Sequence, residues 1–314
     1  MVFYTTLNLF GNLIFGANMC DPHDPASAEL KNTIWKIMKL VAMPNMADYF
    51  PFLRFLDPQG VSCAMTRHLR LLYNFSDAFI QKRLASTSQS VKPDDSEKDF
   101  PGVLLDSRSG DFTSLSGIRA LVAVSSTEKS FIFYKSLVFL QISNCALWFQ
   151  ELFAAGTETT TTLTIEWAIA EFIRNPQKLN RVRQELNEVV GCNRRLEESV
   201  VDRQPYLHAA VKETLRLHPA VPVIVPHEAE SSCEIGGFTI PKHSQVVLNV
   251  WAIGRDPSVW KNPSEFMPER FLEGENSKIE YSGQNFELIP FGAGRRMCPA
   301  IPLASRTIHI VVAS

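Results

Sequence analysis

A short loop near the C-terminus, residues 291–302, constrains the fold and chemistry of this chain more than any other stretch. Gly292 and Gly294 permit tight backbone turns and the close approach of a flat ligand. Cys298 follows them and precedes a proline, and the apolar run at 301–312 predicts a helix that begins just after the cysteine. The sequence therefore predicts one thiol held between a glycine-rich turn and a helix.

This thiol is a candidate metal ligand. Arg295 and Arg296 lie just before Cys298, and guanidinium groups together with the free amides of a helix N-terminus favour a thiolate. We therefore predict a lowered pKa for Cys298 and an iron-binding role for its sulfur. The alternative is a small buried cysteine with no chemical role, which is the commonest fate of a free thiol.

Composition defines the broad class of protein. With 314 residues, 45% hydrophobic content and a formal net charge of -2, the chain can bury a sizeable core in one large or two ordinary domains. Basic residues are dispersed among acidic ones, which gives no reason to expect a nucleic-acid partner. The six cysteines are widely spaced, and no signal peptide precedes them, so we expect no disulfide framework.

The N-terminal part is predicted to be helical. Apolar residues recur at helical spacing at 7–15, 34–41 and 65–84, and the polar stretch 85–99 is typical of a solvated connector. Three asparagines interrupt the first apolar run, and no basic segment precedes it. We therefore expect a buried helix there, and neither a signal peptide nor a membrane span.

Residues 107–150 form an atypical region. The part at 107–117 is polar and rich in turn-forming residues, whereas 131–149 is strongly apolar with Lys135 as its one charge. A span of this length is about the minimum for a bilayer, and Lys135 would be costly in lipid. The favoured interpretation is a core helix or a misplaced segment, and a membrane-associated segment is the alternative.

A long helix is predicted at 152–174, with an unusual start. Ala155, Gly156, Glu158 and Thr159 open it, and several further threonines follow. Glycine and threonine are poor helix formers, and such a local misfit often marks a functional site. The alternative is that the threonine hydroxyls bond back to helix carbonyls and merely bend the helix.

Two more helices follow, starting at Asn175-Pro176 and Gln204-Pro205. The second carries Glu213 and Arg216 three residues apart, so that both side chains lie on one face and can pair. The alternative is a surface salt bridge of little energetic value. The apolar stripe of the first helix predicts a structural role.

The β content is predicted to be small. The run 221–225 is β-prone but contains a proline, which suits a sheet edge. Residues 235–238 are typical of a hairpin turn, and 244–251 is predicted to be the returning strand. The predicted fold class is mainly α with a small β portion.

The motifs together resemble a known family. The pattern Phe291, Gly294, Arg296, Cys298 resembles the haem-binding loop of the cytochrome P450 monooxygenases, with Ala300 in place of the glycine usual in that family. The resemblance implies the cytochrome P450 fold in partial form and haem b bound through the Cys298 thiolate. It also implies that Phe291, Gly294 and Ala300 line the cofactor and that Arg296 pairs with a propionate.

The resemblance extends to other segments. The sequence from Ala155 to Thr159 is similar to the oxygen-activating helix of the family. By this resemblance Thr159 would hydrogen-bond bound oxygen, and Glu158 would belong to the path that delivers protons. Glu213, Arg216 and Arg270 would form a network that braces the haem loop. His227 would lie near a propionate. The substrate pocket would include four residues of one run: Val221, Val223, Ile224 and Val225.

The sequence of residues 45–60 resembles that of the plant microsomal branch that includes geraniol 8-hydroxylase. This resemblance implies insertion of one oxygen atom from O2 into a small apolar substrate, such as a monoterpene alcohol or a related aromatic. Electrons would come from NADPH through NADPH-cytochrome P450 reductase. The family resides on the cytosolic face of the endoplasmic reticulum membrane, through an N-terminal anchor that this chain is expected to lack.

We expect residues 1–314 to form a single partial domain, truncated at both ends, in which 107–150 do not resemble the family. Two alternatives from other classes stay open at this point. One is a non-catalytic fragment that binds no haem, and the other is a membrane-associated binding protein.

Overall fold

The computed structural model describes residues 2–15, 18–53, 55–87, 156, 162–191, 198–201 and 203–314. They fall into two compact units, which divide between residues 158 and 159. Both units are built mainly from helices, and short strands occur in the second. This confirms the predicted fold class. Residues 107–150, including the apolar stretch 131–149, lie outside the described residues.

The first unit is helical. Its elements are α1 (Val2–Phe15), α2 (Pro25–Ala42), α3 (Met46–Tyr49), a 3₁₀ turn (Pro51–Leu53) and α4 (Val61–Thr87). All three helices predicted in this unit were too short. The carboxylate of Asp24 accepts the amide of Ala26 and Pro25 occupies the first turn, so α2 begins nine residues earlier than its apolar pattern does.

The core of the first unit lies where α4 packs against α2 and α1. It contains fully buried side chains from all three helices: Leu7, Ile34, Ile37, Met65, Leu69 and Leu72. These positions recur at three- and four-residue intervals within α2 and α4, so each helix contributes one apolar stripe. Among the described residues, no helix is long and apolar enough to cross a bilayer.

The second unit contains α5 (Thr164–Arg174), α6 (Pro176–Val190), α7 (Glu198–Val201), α8 (Pro205–Leu217), α9 (Val250–Ile253) and α10 (Ile301–Ala313). Helix α8 lies at its centre, since eleven of its thirteen residues are buried. Buried apolar side chains of α5, α6 and α8 form one cluster together with Phe266: Ala168, Phe172, Val182, Tyr206, Leu207, Ala210, Leu217 and Phe266. A helix buried on all sides can position side chains for the rest of the unit.

At the boundary between α5 and α6, the predicted helix start is correct but the predicted capping role of Asn175 is wrong. Helix α6 begins at Pro176 as predicted, but the Asn175 side chain makes no capping bond. Its amide instead donates to the backbone carbonyl of Glu171, 2.8 Å away, and to the Glu171 carboxylate at 3.2 Å. The predicted apolar stripe is also more exposed than expected, because in α6 Val182 alone is buried.

The β portion consists of two two-stranded antiparallel pairs. Strand β1 (His227–Glu228) pairs with β4 (Gln245–Val246), and β2 (Cys233–Ile235) pairs with β3 (Phe238–Ile240). Gly236 and Gly237 both have positive φ, 59° and 82°, as a two-residue hairpin of type I′ requires. The hairpin prediction is therefore confirmed.

The other strand predictions need correction. The run 221–225 makes an isolated bridge, Val223 opposite Asn249, and no regular strand, because Pro222 lacks the amide that a continuing ladder needs. The predicted strand 244–251 ends early, since Val250–Ile253 is helical. The Asn249 side chain accepts the Ala252 amide and so starts this short helix.

We expect Asp24→Ala to lower the free energy of unfolding by about 1 kcal/mol, because α2 loses its N-terminal cap. Urea denaturation followed by circular dichroism measures the change. Glu29→Ala, at an exposed position in the same helix, is the matched control and should leave the midpoint unchanged or slightly higher. Equal midpoints for both variants would contradict the assigned cap.

Candidate functional site

The cysteine loop is closed by its own backbone. Gly292 and Gly294 adopt φ of 76° and 71°, values that glycine alone adopts readily. The amide of Cys298 donates to the carbonyl of Phe291 at 3.0 Å, and the amide of Met297 donates to that of Gly294 at 3.2 Å. These bonds hold the thiol at the end of a compact turn that leads into α10.

The Cys298 sulfur is half-buried. Burial raises the pKa of its thiol, and the hydrogen bond from the Ala300 amide lowers the pKa by a smaller amount. The predicted lowering of this pKa is therefore wrong for the polypeptide itself. Arg295 and Arg296 are exposed, where water screens their charges. Helix α10 begins at Ile301, just after the cysteine as predicted.

Ala300 fits its place in the loop. Its φ and ψ are -89° and 11°, a conformation open to any residue, so alanine adds no backbone strain where a glycine was expected from the family pattern. Its amide reaches the Cys298 sulfur. Hydrogen bonds of this kind stabilise a thiolate and tune a metal bound to it.

An apolar segment lies against the loop. The amide of Ile224 donates to the carbonyl of Leu248 at 3.0 Å, which fixes the run 221–225 beside the chain entering α9. A β-carbon built on Gly292 would lie 4.0 Å from Ile224 Cδ1, so this run and the cysteine loop are neighbours. Val223 and Val225 are 47% and 67% exposed, and they offer apolar surface to a ligand.

The other predicted cofactor contacts are less defined. His227 lies in β1 opposite Val246, and its side chain is exposed, as is that of Arg296. Ala155, Glu158 and Thr159 lie outside the described residues, so the predicted oxygen-activating segment has no position here. Phe291 is buried, and its ring centroid lies 5.7 Å from that of Tyr281.

The structure brings Glu213, Arg216 and Arg270 together. Both Glu213 oxygens pair with Arg216, through Nε and Nη2 at 2.7 Å each. Arg270 Nε adds a bond of 3.1 Å to Glu213 Oε1. All three side chains are almost completely buried, so the alternative of a surface salt bridge is excluded.

Backbone groups complete this network. Arg216 uses its remaining donors on the carbonyls of Gly254, Pro263 and Glu265, which accounts for all five guanidinium hydrogens. The amide of Met267 donates to Glu213 at 2.7 Å. One glutamate and one arginine of α8 therefore fix the path of residues 254–267.

Two residues of this region were not predicted from the sequence. Trp260 is fully buried, and its ring lies 5.3 Å from the Arg216 guanidinium carbon, as a cation–π contact. A β-carbon on Gly254 would lie 2.5 Å from the Arg216 carbonyl oxygen, so only glycine permits this approach. Neither position has a local pattern that predicts its role, because both depend on residues about forty positions away.

Comparison with known proteins identifies the family. The family described as "Cytochrome P450" matches residues 1–314. The chain therefore belongs to the cytochrome P450 family. A solved structure of a zebra fish cytochrome P450 with progesterone is similar, with a TM-score of 0.70 and 25% identity, over 99% of this chain and 61% of that one.

Several plant relatives are more similar in sequence. Cytochrome P450 76T24 of Catharanthus roseus is 42% identical over 99% of this chain and 56% of its own length. Geraniol 8-hydroxylase of Swertia mussotii and iridoid oxidase of Catharanthus roseus are each 39% identical. The chain thus spans little more than half the length of the curated relatives it matches. The resemblance to the geraniol 8-hydroxylase branch is confirmed.

The described residues fit a thiolate-bound haem. The loop offers one half-buried sulfur that already accepts an amide hydrogen bond. A β-carbon built on Gly294 would meet no atom within 4 Å, which leaves open space at the loop. Haem is flat and largely apolar, and it carries two negatively charged propionates. The run 221–225 offers it an apolar surface, and the exposed Arg296 offers a cation.

We expect Glu213→Gln to lower the free energy of unfolding by about 3 kcal/mol, because Arg216 and Arg270 would stay buried without their counter-charge. Urea unfolding followed by circular dichroism measures the change. Glu273→Gln, at an exposed position, removes the same charge from the surface and should have almost no effect. A similar midpoint for the two variants would refute the assigned bracing role.

Proposed function

We propose that this chain carries the haem-binding part of a monooxygenase that inserts one oxygen atom from O2 into a small apolar substrate. The observation that supports the proposal most directly is Cys298 itself, held in a closed loop with an amide bonded to its sulfur, in a member of the cytochrome P450 family. A haem bound there supplies the activation of dioxygen that C–H hydroxylation needs.

In this proposal the residues predicted to bind the cofactor have separate roles. Cys298 would hold haem b through its thiolate, and the Ala300 amide would stabilise the negative charge on the sulfur. Arg296 pairs with one propionate, and His227 donates a hydrogen bond near a propionate. Phe291 and Gly294 line the cofactor. To hold a metal, the Cys298 thiol would have to lose its proton, and its raised pKa opposes that loss in the free chain.

The substrate proposed for the site is a terpenoid such as a monoterpene alcohol, or a related aromatic. The names of the relatives, geraniol 8-hydroxylase and iridoid oxidase, support this class. The exposed valines Val223 and Val225 support an apolar pocket. Val221 and Ile224 complete its wall in the proposal.

The remaining parts of the proposal rest on the family resemblance. Thr159 would donate a hydrogen bond to dioxygen, Glu158 would belong to the path that delivers protons, and Ala155 would lie beside the haem. NADPH supplies two electrons through NADPH-cytochrome P450 reductase. The site of action is the cytosolic face of the endoplasmic reticulum membrane, and residues 1–314 belong to one domain.

The test is the reduced carbon monoxide difference spectrum of the chain expressed with haem. A thiolate-bound haem gives a red-shifted Soret band, and Cys298→Ser should abolish that band because serine cannot replace the sulfur. Cys63→Ser, which removes an exposed thiol, is the matched control and should leave the band unchanged. The absence of the band from the unsubstituted chain would refute the proposal, as would its persistence in Cys298→Ser.

A further inference from the structure

We propose that His208, His309 and Glu280 form a proton-sensitive latch, which holds the segment 279–285 against α8 and α10. His208 lies in α8 and His309 in α10, and Glu280 belongs to the segment, which precedes the cysteine loop. None of the three has a role in the proposed function, so the latch does not depend on haem binding. No local sequence pattern indicates it, because the two histidines are 101 positions apart.

A backbone carbonyl fixes the proton of His309. Its Nδ1 lies 2.6 Å from the carbonyl oxygen of Ser305, and a carbonyl can only accept a hydrogen bond, so Nδ1 carries the hydrogen. His309 is 1% exposed, and burial disfavours a second proton because the ring would then be charged. Its Nε2 therefore has no hydrogen and acts as an acceptor.

His208 forms a hydrogen-bonded pair with His309. Its Nδ1 lies 2.9 Å from His309 Nε2, and the two rings are stacked with centroids 5.0 Å apart. Because His309 Nε2 accepts, His208 Nδ1 donates, and in the neutral ring its own Nε2 has no hydrogen. That nitrogen lies 3.6 Å from the Glu280 carboxylate, so that two lone pairs face each other. A proton added at His208 Nε2 replaces this contact by an ion pair.

Lys212 keeps the Glu280 carboxylate ionised. It lies one turn after His208 on α8, is almost completely buried, and contacts the same carboxylate through its ammonium group. Its positive charge offsets part of the attraction between Glu280 and a protonated His208. The latch therefore joins two cations of one helix to a single carboxylate.

The other ionisable groups around the pair have their own partners or are exposed. Glu185 of α6 accepts two amides in the first turn of α8. The Tyr281 hydroxyl shares a 2.6 Å hydrogen bond with the Ser305 hydroxyl, and burial raises the pKa of this phenol, so it keeps its proton. Arg306 is exposed on α10. Glu280 is thus the carboxylate that forms an ion pair with His208.

The latch strengthens as the pH falls. Protonated His208 is bound to α10 through His309 and to the segment 279–285 through Glu280. The unfolded chain lacks this acceptor and this anion, so the stabilisation is present below about pH 6.5, the ordinary value for histidine. It is lost as the pH rises through the midpoint of His208 in the folded chain. Above that midpoint Glu280 still contacts Lys212, but its ion pair with His208 is absent.

The direct test is the set of nitrogen-15 chemical shifts of the histidine rings in the folded chain, followed from about pH 5 to about pH 8. We expect neutral His208 to carry its hydrogen on Nδ1 and to gain a second one at Nε2 within this range. His309 should keep its hydrogen on Nδ1 throughout. Uptake of the proton by His309 instead would overturn the proposal, as would a neutral His208 with its hydrogen on Nε2.

Glu280→Gln removes the anion of the latch, and we expect it to lower the titration midpoint of His208 by about 0.5 pH unit. Glu275→Gln, at an exposed position a few residues earlier, is the matched control and should leave this midpoint unchanged. Equal midpoints in Glu280→Gln and the unsubstituted chain would refute the latch.

If Glu280→Gln fails to fold, His208→Gln takes its place. Glutamine keeps a polar side chain but cannot take up a proton in this pH range, so its loss of stability in urea should be larger at about pH 5.5 than at about pH 8. An equal loss at both pH values would refute the latch.

Discussion

The buried ion network around Glu213 is the interaction on which the second unit depends. Its carboxylate accepts hydrogen bonds from Arg216, Arg270 and the amide of Met267, all within a region closed to water. Burying three charges is unfavourable unless every partner is present, so the network forms only when α8 and residues 254–270 occupy one arrangement. Its value is therefore specificity of structure more than net stability.

The cysteine loop also depends on residues that other side chains could not replace, and here these residues are glycines. Gly292 and Gly294 provide turns that other residues would strain, whereas Gly283 provides volume for Met297. The amides of Cys298 and Met297 close the loop that carries the thiol, by donating to the carbonyls of Phe291 and Gly294. A ligand that must meet a metal at a fixed angle needs this degree of preorganisation.

Burial raises the pKa of the Cys298 thiol and so favours its protonated form. A thiol that stays protonated in the haem-free chain is a poor nucleophile and resists oxidation. In the proposed function, its proton leaves when iron binds, and the Ala300 amide then stabilises the anion. The lowered pKa predicted for Cys298 from the neighbouring arginines is not found, because burial of the thiol outweighs the charges of two exposed arginines.

The sequence alone determined the family, the helix starts at Pro176 and Pro205, and the hairpin at residues 235–238, since each depends on residues a few positions apart. Only the tertiary structure decided the burial of the Glu213 network, the irregular path of 221–225 and the place of Gly283 behind Met297. These features arise from contacts between residues many positions apart, whose separation leaves no periodic pattern. Burial also decided that the pKa of Cys298 is raised and not lowered, because desolvation depends on everything packed around the sulfur.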